Sequence, residues 1–427
     1  MNPHTNRPTF AVRRTATLGI AAALACAGAL AGCSGHGKYT REHIAQAKEK
    51  MSALKSGTEY QMAQQQFLAG DLEKAMKTID RSVTLNPNVA RSHVLRGRIL
   101  IERGRLEQAR EALLTAEQID DQNVEAQYYL GIIHERVNEP VEALARYSRA
   151  AELDPANPQY LVAAAEMHLV QGRLDEAERM LTEKKTQFRY NAAVRQALGQ
   201  IAMLRGDAAG AAKHFADALT LASDDAGIME DLIRAQMACG DFAEAEYYIQ
   251  RLLERAENKN RRDLMHLRAR CLMAVNRPVE ARTLLLELTG HREGSRDLRA
   301  WIDLGNVAAT LKDRANLRTA TQRVLAIAPD RHEGWMLRAM QCRMEENHEQ
   351  ALAAADQAAA RSMSDAAPFL LRALILEDLN RTAEARASLM EGLARDPNNR
   401  AVQTLLAALE GTPVRAGAVV GHGAAGE

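Results

Sequence analysis

Apolar residues recur along most of this chain at the three- and four-residue spacing of amphipathic helices, and that pattern is itself periodic. One period is Val124 to Asn157, VEAQYYLGIIHERVNEPVEALARYSRAAELDPAN, 34 residues that read as two amphipathic helices with a break between them. The first carries Tyr128, Leu130, Gly131 and His134; the second carries Ala143, Tyr147 and Ala150, and Asp154-Pro155 closes the unit. Steps of 34 from Gly131 reach Gly97 and Ala63 backwards, then Ala165 and Gly199 forwards. The same step from Ala143 gives Ala75, Ala109, Ala177, Ala211 and Ala245. A third frame, at the break, gives Gly70, Gly104, Asn138, Gly172, Gly206 and Gly240. Three frames in register over six copies establish a repeat, and a repeat of this length fixes the architecture. Strand-like alternation is absent from the sequence, so the predicted class is all-α.

The spacing Leu130-Gly131, Ala143, Tyr147, Ala150, Pro155 resembles the tetratricopeptide repeat. Each position has a physical reason. Small residues on both helices let the backbones approach, the larger residue after them fills the gap between units, and proline ends the second helix because it cannot continue the turn. The resemblance implies a right-handed α-solenoid of about ten helix pairs, each touching only its neighbours. Ten units follow in sequence: 56–89, 90–123, 124–157, 158–191, 192–225, 226–259, 262–295, 298–331, 332–365 and 366–399. Residues 56–259 hold six regular units and 262–399 four more divergent ones.

Second helices are expected to start at Gly70-Asp71 and Gly240-Asp241, whose aspartates can accept backbone N–H bonds, or at Pro140 and Pro278 in the first turn. The register lengthens to 36 between Ala245 and Ala281 and again to Leu317, placing extra residues in Glu257–Arg262 and His291–Arg296. Either a changed angle between repeats or a tolerated loop insertion accounts for this. Unit 298–331 departs furthest, with Leu317 in the alanine frame and Thr321 at the gap-filling position. Outside the repeats, 41–55 reads as a polar amphipathic helix able to cap the open end, 400–410 as a closing helix, and the Gly/Ala-rich 411–427 as a disordered tail.

Residues 1–32 read as a signal segment: Arg7, Arg13 and Arg14 precede an apolar run, Ala16 to Ala31, that is short for a membrane span. The run ends Leu30-Ala31-Gly32-Cys33, which resembles a bacterial lipobox. That resemblance implies cleavage before Cys33, acylation of its thiol and amine, and a short tether over 33–40. An ordinary signal with an incidental cysteine is the alternative. General secretion fits better than twin-arginine export, because Thr15-Ala16-Thr17 suits the latter poorly. The residue after Cys33 is serine, not aspartate, which by the same resemblance favours the outer membrane facing the periplasm.

Composition narrows the function. The 55 basic and 55 acidic residues balance, and loss of three arginines with residues 1–32 leaves a net charge of −3, which excludes a nucleic-acid binder of the basic-patch kind. Cys239, Cys271 and Cys342, all on first helices, form no CxxC or Cys/His cluster and read as small buried hydrophobes, so no metal site or cofactor is expected. His134 occupies a packing position, and Met336, Met340 and Met344 share one helix face that serves packing or adaptable peptide binding. HExxH, GxSxG and phosphate-cradling glycine loops are missing from the sequence, and the repeats leave little room for a catalytic domain.

In proteins with such repeats the first helices line a concave face, and this resemblance assigns partner binding to Tyr60, Arg98, Tyr128, Arg136, Arg234, His266, Arg270 and Arg343. Arg98, Tyr128 and Arg136 would make one basic patch; Arg234, His266 and Arg270 would make another. Alternatively these arginines pair with acids such as Glu102, Glu135 or Glu230 and only keep the face soluble. No unit has the lysine that carboxylate-clamping chaperone partners use at the fifth position, which counts against a cytoplasmic co-chaperone. The expected function is a non-catalytic scaffold for protein or peptide segments, resembling the repeat lipoproteins that help assemble pili, secretion channels and exopolysaccharide exporters. A regulator of a periplasmic enzyme such as a cell-wall synthase is the alternative.

Overall fold

The computed structural model of the chain describes residues 38–184 and 186–410. The expected signal peptide, Cys33 and the tail 411–427 lie outside them. Among the described residues, twenty-one α-helices and one 3-10 turn follow one another without a strand, and the helices pair as an α-solenoid. The chain forms two compact units, passing from one to the other between Met180 and Leu181.

The N-terminal unit contains α1 (Lys38–Leu68), α2 (Leu72–Leu85), α3 (Ala90–Glu102), α4 (Leu106–Ile119), α5 (Val124–Arg136), α6 (Pro140–Leu153), α7 (Pro158–Val170) and the beginning of α8 (Leu174–Glu183). α8 is shorter than the other second helices of this unit, which run to 14 residues. Its sequence gave no insertion to announce that.

The C-terminal unit continues with α9 (Ala192–Leu204), α10 (Ala208–Leu221), α11 (Ala226–Cys239), α12 (Phe242–Leu253), α13 (Arg262–Ala274) and α14 (Pro278–Gly290). After the 3-10 turn Glu293–Arg296 come α15 (Leu298–Thr310), α16 (Arg314–Ile327), α17 (His332–Met344), α18 (His348–Arg361), α19 (Ala367–Asp378), α20 (Thr382–Arg395) and α21 (Arg400–Leu409).

In the pairs of Gly131 and Gly199 packing follows a size rule. Ala75, Ala109, Ala143, Ala211, Ala245 and Ala281 are wholly buried, where second helix meets first. A Cβ on Gly131 would sit 2.5 Å from the Tyr147 ring, and one on Gly199 would sit 2.6 Å from Phe215. The large side chain therefore fills the space left by glycine. Leucine takes the same place beside Gly97, as Leu113, and in the cluster that holds Ala269, as Leu285. In unit 298–331 the volumes are exchanged: Leu317 is wholly buried in the alanine frame, Thr321 is small, and Leu337 of α17 occupies the space over Gly305 instead.

Both insertions are packed. One cluster of buried residues extends from Ala211 to Cys271, across 257–262, and another from Met265 to Leu337, across 291–296. Trp301 Nε1 donates to the Gly294 carbonyl at 3.1 Å, and Arg262 holds the Leu288 carbonyl and Asp297. Gly294 is required there, since a Cβ would lie 1.7 Å from the Leu288 oxygen. A continuous core through both loops fits tolerated insertions better than hinges.

At the break between paired helices the backbone turns left-handed at Gly70, Gly104, Asn138, Gly172, Gly206, Gly240, Asn276, Lys312, Glu346 and Asn380, the spacing of the repeat including its two longer steps. Glycine adopts this conformation freely, whereas other L-residues pay about 1–2 kcal/mol, partly offset by glycine's extra entropy when unfolded. Glu346 is exposed at φ 62. Glu346→Gly should therefore stabilise the C-terminal unit by about 0.5–1 kcal/mol, read as a rise in the urea midpoint at unchanged slope.

Three expectations change. Residues 41–55 are not a separate cap: α1 runs unbroken through Gly57, which no proline or left-handed residue accompanies, and it takes in residues 38–40 of the expected tether. Residues 41–51 of that helix are exposed throughout. Cys271 and Cys342 are buried as expected, and burial pushes the Cys271 thiol up to about 11. Cys239 is exposed, because it is the last residue of α11 and lies beyond the packed face. Aspartate caps α2, with Asp71 accepting from the Lys74 amide at 3.2 Å, but Asp241 makes no such bond at α12. Pro140 and Pro278 stand in the first turns as predicted. At the far end α21 buries Val402 and lays Leu405, Leu406 and Leu409 on the preceding core.

Candidate protein-binding face

Within each unit, helices two apart in sequence touch where both are first helices: α1 with α3 and α3 with α5, then α9 with α11, α13 with α15, α15 with α17 and α17 with α19. Side chains on these helices are thereby gathered on one face.

In the N-terminal unit that face is aromatic. The Arg98 guanidinium of α3 lies between two rings, 5.1 Å from the centroid of Phe67 on α1 and 5.0 Å from Tyr129 on α5. Tyr129 continues to Tyr128 at 5.3 Å, and Tyr128 to Tyr160 of α7 at 5.1 Å. Tyr147 meets Tyr128 from behind at 5.6 Å and donates its hydroxyl to Glu135 at 2.6 Å. Tyr60, the first predicted residue, carries Arg91 at 4.9 Å over its ring. Burial raises the Tyr128 and Tyr129 hydroxyls, and burial together with the Glu135 contact raises Tyr147 much further, so all three stay protonated donors near neutral pH. Glu166 is open to solvent, yet desolvation by the surrounding groups and the Glu135 charge raise its carboxyl.

The expected basic patch of Arg98, Tyr128 and Arg136 does not form as such. Arg136 turns away to donate to the Ile101 carbonyl at 3.2 Å, sharing that oxygen with the Gly104 N–H at the end of α3. Arg98 is held by rings, and among the described residues no ion pair to it is seen. Phe67, Tyr129 and Tyr160 were not predicted. A signal existed, for Phe67, Arg98, Tyr129 and Tyr160 follow at intervals of 31, one helical turn short of the repeat.

The second expected patch, in the C-terminal unit, is largely neutralised. Arg234 pairs with Asp231, which also accepts from Gln196 at 2.7 Å. His266 Nε2 lies 2.7 Å from Asp303. Arg270 is exposed beside Asp303 and Asn306 on a cleft of about 220 Å³, with no ion pair among the described residues. Glu230 is engaged by Arg261 rather than by Arg234. Arg343 grips Asp378 through two bonds of 2.5 and 3.1 Å, which holds the Asp378 carboxyl below the usual range. Near it Met340, Met344, Leu371 and Leu374 line a cleft of about 740 Å³. His134 is half-buried and bonded to Glu139 at 2.7 Å. Thus Tyr60, Arg98, Tyr128 and Arg270 remain available on this face, while Arg136, Arg234, His266 and Arg343 are committed to partners in the chain.

Comparison with known proteins agrees with this architecture. Family models described as TPR repeat or tetratricopeptide repeat match residues 97–138, 128–183, 202–265 and 366–399. Among curated proteins, an 85-residue stretch is 33% identical to Protein O-mannosyl-transferase TMTC3 of Homo sapiens, covering 20% of this chain and 9% of that protein. The chain thus matches less than a tenth of that relative's length. Among solved structures, Pseudomonas aeruginosa PilF aligns at 21% identity and TM-score 0.41, over 48% of this chain and 92% of its own. PilW, described as a widely conserved type IV pilus biogenesis factor, aligns at 20% identity and TM-score 0.43, over 48% and 96%. The APC/C hetero-tetramer Cut9-Hcn1 covers 86% of this chain and 94% of its own at 13% identity and TM-score 0.41. Tetratricopeptide repeats are clearly present in this chain.

Proposed function

We propose that this protein is a non-catalytic scaffold, lipid-anchored through Cys33 in a bacterial envelope, at the outer membrane and facing the periplasm. It holds protein segments on the face of its first helices and assists assembly of a secretion, pilus or exopolysaccharide export complex. The observation that carries the reading is the half-buried aromatic face around Arg98 and Tyr128, since aromatic and arginine side chains dominate binding hot spots. Tetratricopeptide repeats generally mediate contacts between proteins, and their fold is typically non-catalytic. The lipobox-like Leu30-Ala31-Gly32-Cys33 supports the anchor. The exposed Arg41, Lys48, Lys50 and Lys55 of α1 suit a position beside an anionic surface.

Site-specific photo-crosslinking in the native host tests this. Probes at exposed Glu125 and Arg270 on first helices should capture the same protein, and a probe at exposed Tyr247 on the second helix α12 should not. Equal capture from both faces, or none from the first helices, would overturn the assignment of the binding face.

A further inference from the structure

The aromatic face of the N-terminal unit has a direction. From Phe67 through Arg98, Tyr129 and Tyr128 to Tyr160, successive groups are 5.1, 5.0, 5.3 and 5.1 Å apart, each ring or guanidinium touching the next. The ladder crosses four first helices and spans at most about 20 Å, the reach of roughly six residues of extended chain. A cation stands near one end. The Arg98 guanidinium carbon stands over two rings, Phe67 and Tyr129, and no acid pairs with it among the described residues. A half-buried guanidinium between rings and without an acid partner can take a carboxylate at two points. A carboxylate stands on the last of the four helices: Glu166 is exposed on α7, the helix that carries Tyr160, whereas Arg98 is on α3. The aromatic faces lie between.

We infer that the N-terminal unit binds an extended peptide segment in which an acidic side chain, one or more apolar or aromatic side chains, and a basic side chain occur in that order along the groove. The acid docks on Arg98, the apolar side chains on the half-buried Tyr128 and Tyr129, and the base beside Glu166. This deepens the scaffold reading and rests on it. Charge complementarity selects the occupant. A purely acidic segment would meet Glu135 and Glu166, and a purely basic one would meet Arg98.

The test is selection of a displayed library of random short peptides on the whole mature chain, compared with the Arg98→Gln and Glu166→Gln variants. Wild type should enrich peptides carrying an acid and a base separated by apolar residues. Arg98→Gln should lose the acidic preference alone, and Glu166→Gln the basic preference alone. A wild-type-selected peptide should bind Arg98→Gln on the order of tenfold more weakly or worse, a loss of the size that hot-spot truncation brings. Arg98→Lys, which keeps the charge without the planar fork, should recover only part of it. Circular dichroism of each variant separates lost recognition from lost folding, and the opposite selectivities of the two variants cannot come from unfolding. Enriched peptides without acid or base, or an acidic preference that survives Arg98→Gln, would overturn the inference while leaving a peptide-binding face in place. Failure to enrich any peptide on wild type would remove the binding face, and this inference with it.

Discussion

Tyr147→Ala should destabilise the N-terminal unit by about 3–5 kcal/mol, the cost of an aromatic-to-alanine deletion in a core that cannot collapse. The cavity cannot close easily here. Tyr147 is 1% exposed, its ring occupies the space that Gly131 leaves, and the backbone on both sides belongs to packed helices. Removing it also strands Glu135 without its hydroxyl donor and takes away the ring behind Tyr128. In a repeat array stability is a sum of local and nearest-neighbour terms, so the loss should be local. Hydrogen exchange should accelerate across α5 and α6 and remain unchanged over α15 to α20. A uniform loss along the chain would contradict that. The size rule makes a sharper companion test. Gly131→Ala alone overpacks the ring and should cost about 1–3 kcal/mol. Adding Tyr147→Leu recreates the alanine–leucine pairing of Ala269 and Leu285, and the double variant should be more stable than the sum of the two single effects.

That rule explains why so much of the fold was legible beforehand. Glycine or alanine at the 97, 131 and 199 frame is imposed by the second helix passing close, and the left-handed turn imposes the 70 to 240 frame. Both constraints are local, act within one repeat, and leave a mark at a fixed interval. The lengthened steps were readable for the same reason, since the left-handed positions shift with them to Asn276 and Lys312. Features set by neighbouring repeats or by helix ends were not. Arg136 reads as an inward-facing charge until the Ile101 carbonyl at the end of α3 is seen to accept from it. Cys239 reads as core because its helix is amphipathic, although its place in the last residue frees it from the packed face. Residues 41–55 read as a cap because the repeat begins after them, but nothing in Ser56-Gly57 compels the helix to stop. The aromatic ladder was half legible: Arg98 and Tyr128 were named from their repeat positions, whereas Phe67, Tyr129 and Tyr160 fall on an interval of 31 that belongs to contacts between repeats.

Cys33→Ala should abolish incorporation of a labelled fatty acid and remove the mature protein from the detergent phase of a phase-partition assay. The energetics set the scale. Each buried methylene contributes about 0.8 kcal/mol, so one acyl chain holds a protein marginally and two or more hold it durably. Replacing the only cysteine of the lipobox-like segment should therefore remove the acyl attachment and leave only the apolar run Ala16–Ala31 of the unprocessed precursor, an effect far larger than any surface substitution on the helices. Two outcomes separate the readings of residues 1–32. If the segment is a lipoprotein signal, the wild type is labelled, and the variant is unlabelled and accumulates as a larger precursor, because processing before residue 33 depends on the modified cysteine. If it is an ordinary signal with an incidental cysteine, neither form is labelled and both are processed alike. The first outcome also constrains the binding face. A tether only a few residues long before Lys38 would keep the exposed, lysine-bearing half of α1 beside the bilayer and confine the Arg98 groove to partners present at that surface. Capture through the first-helix probes should then fall sharply in Cys33→Ala, although the groove itself is untouched. Undiminished capture from the unlipidated protein would mean that the lipid serves some purpose other than presenting this face.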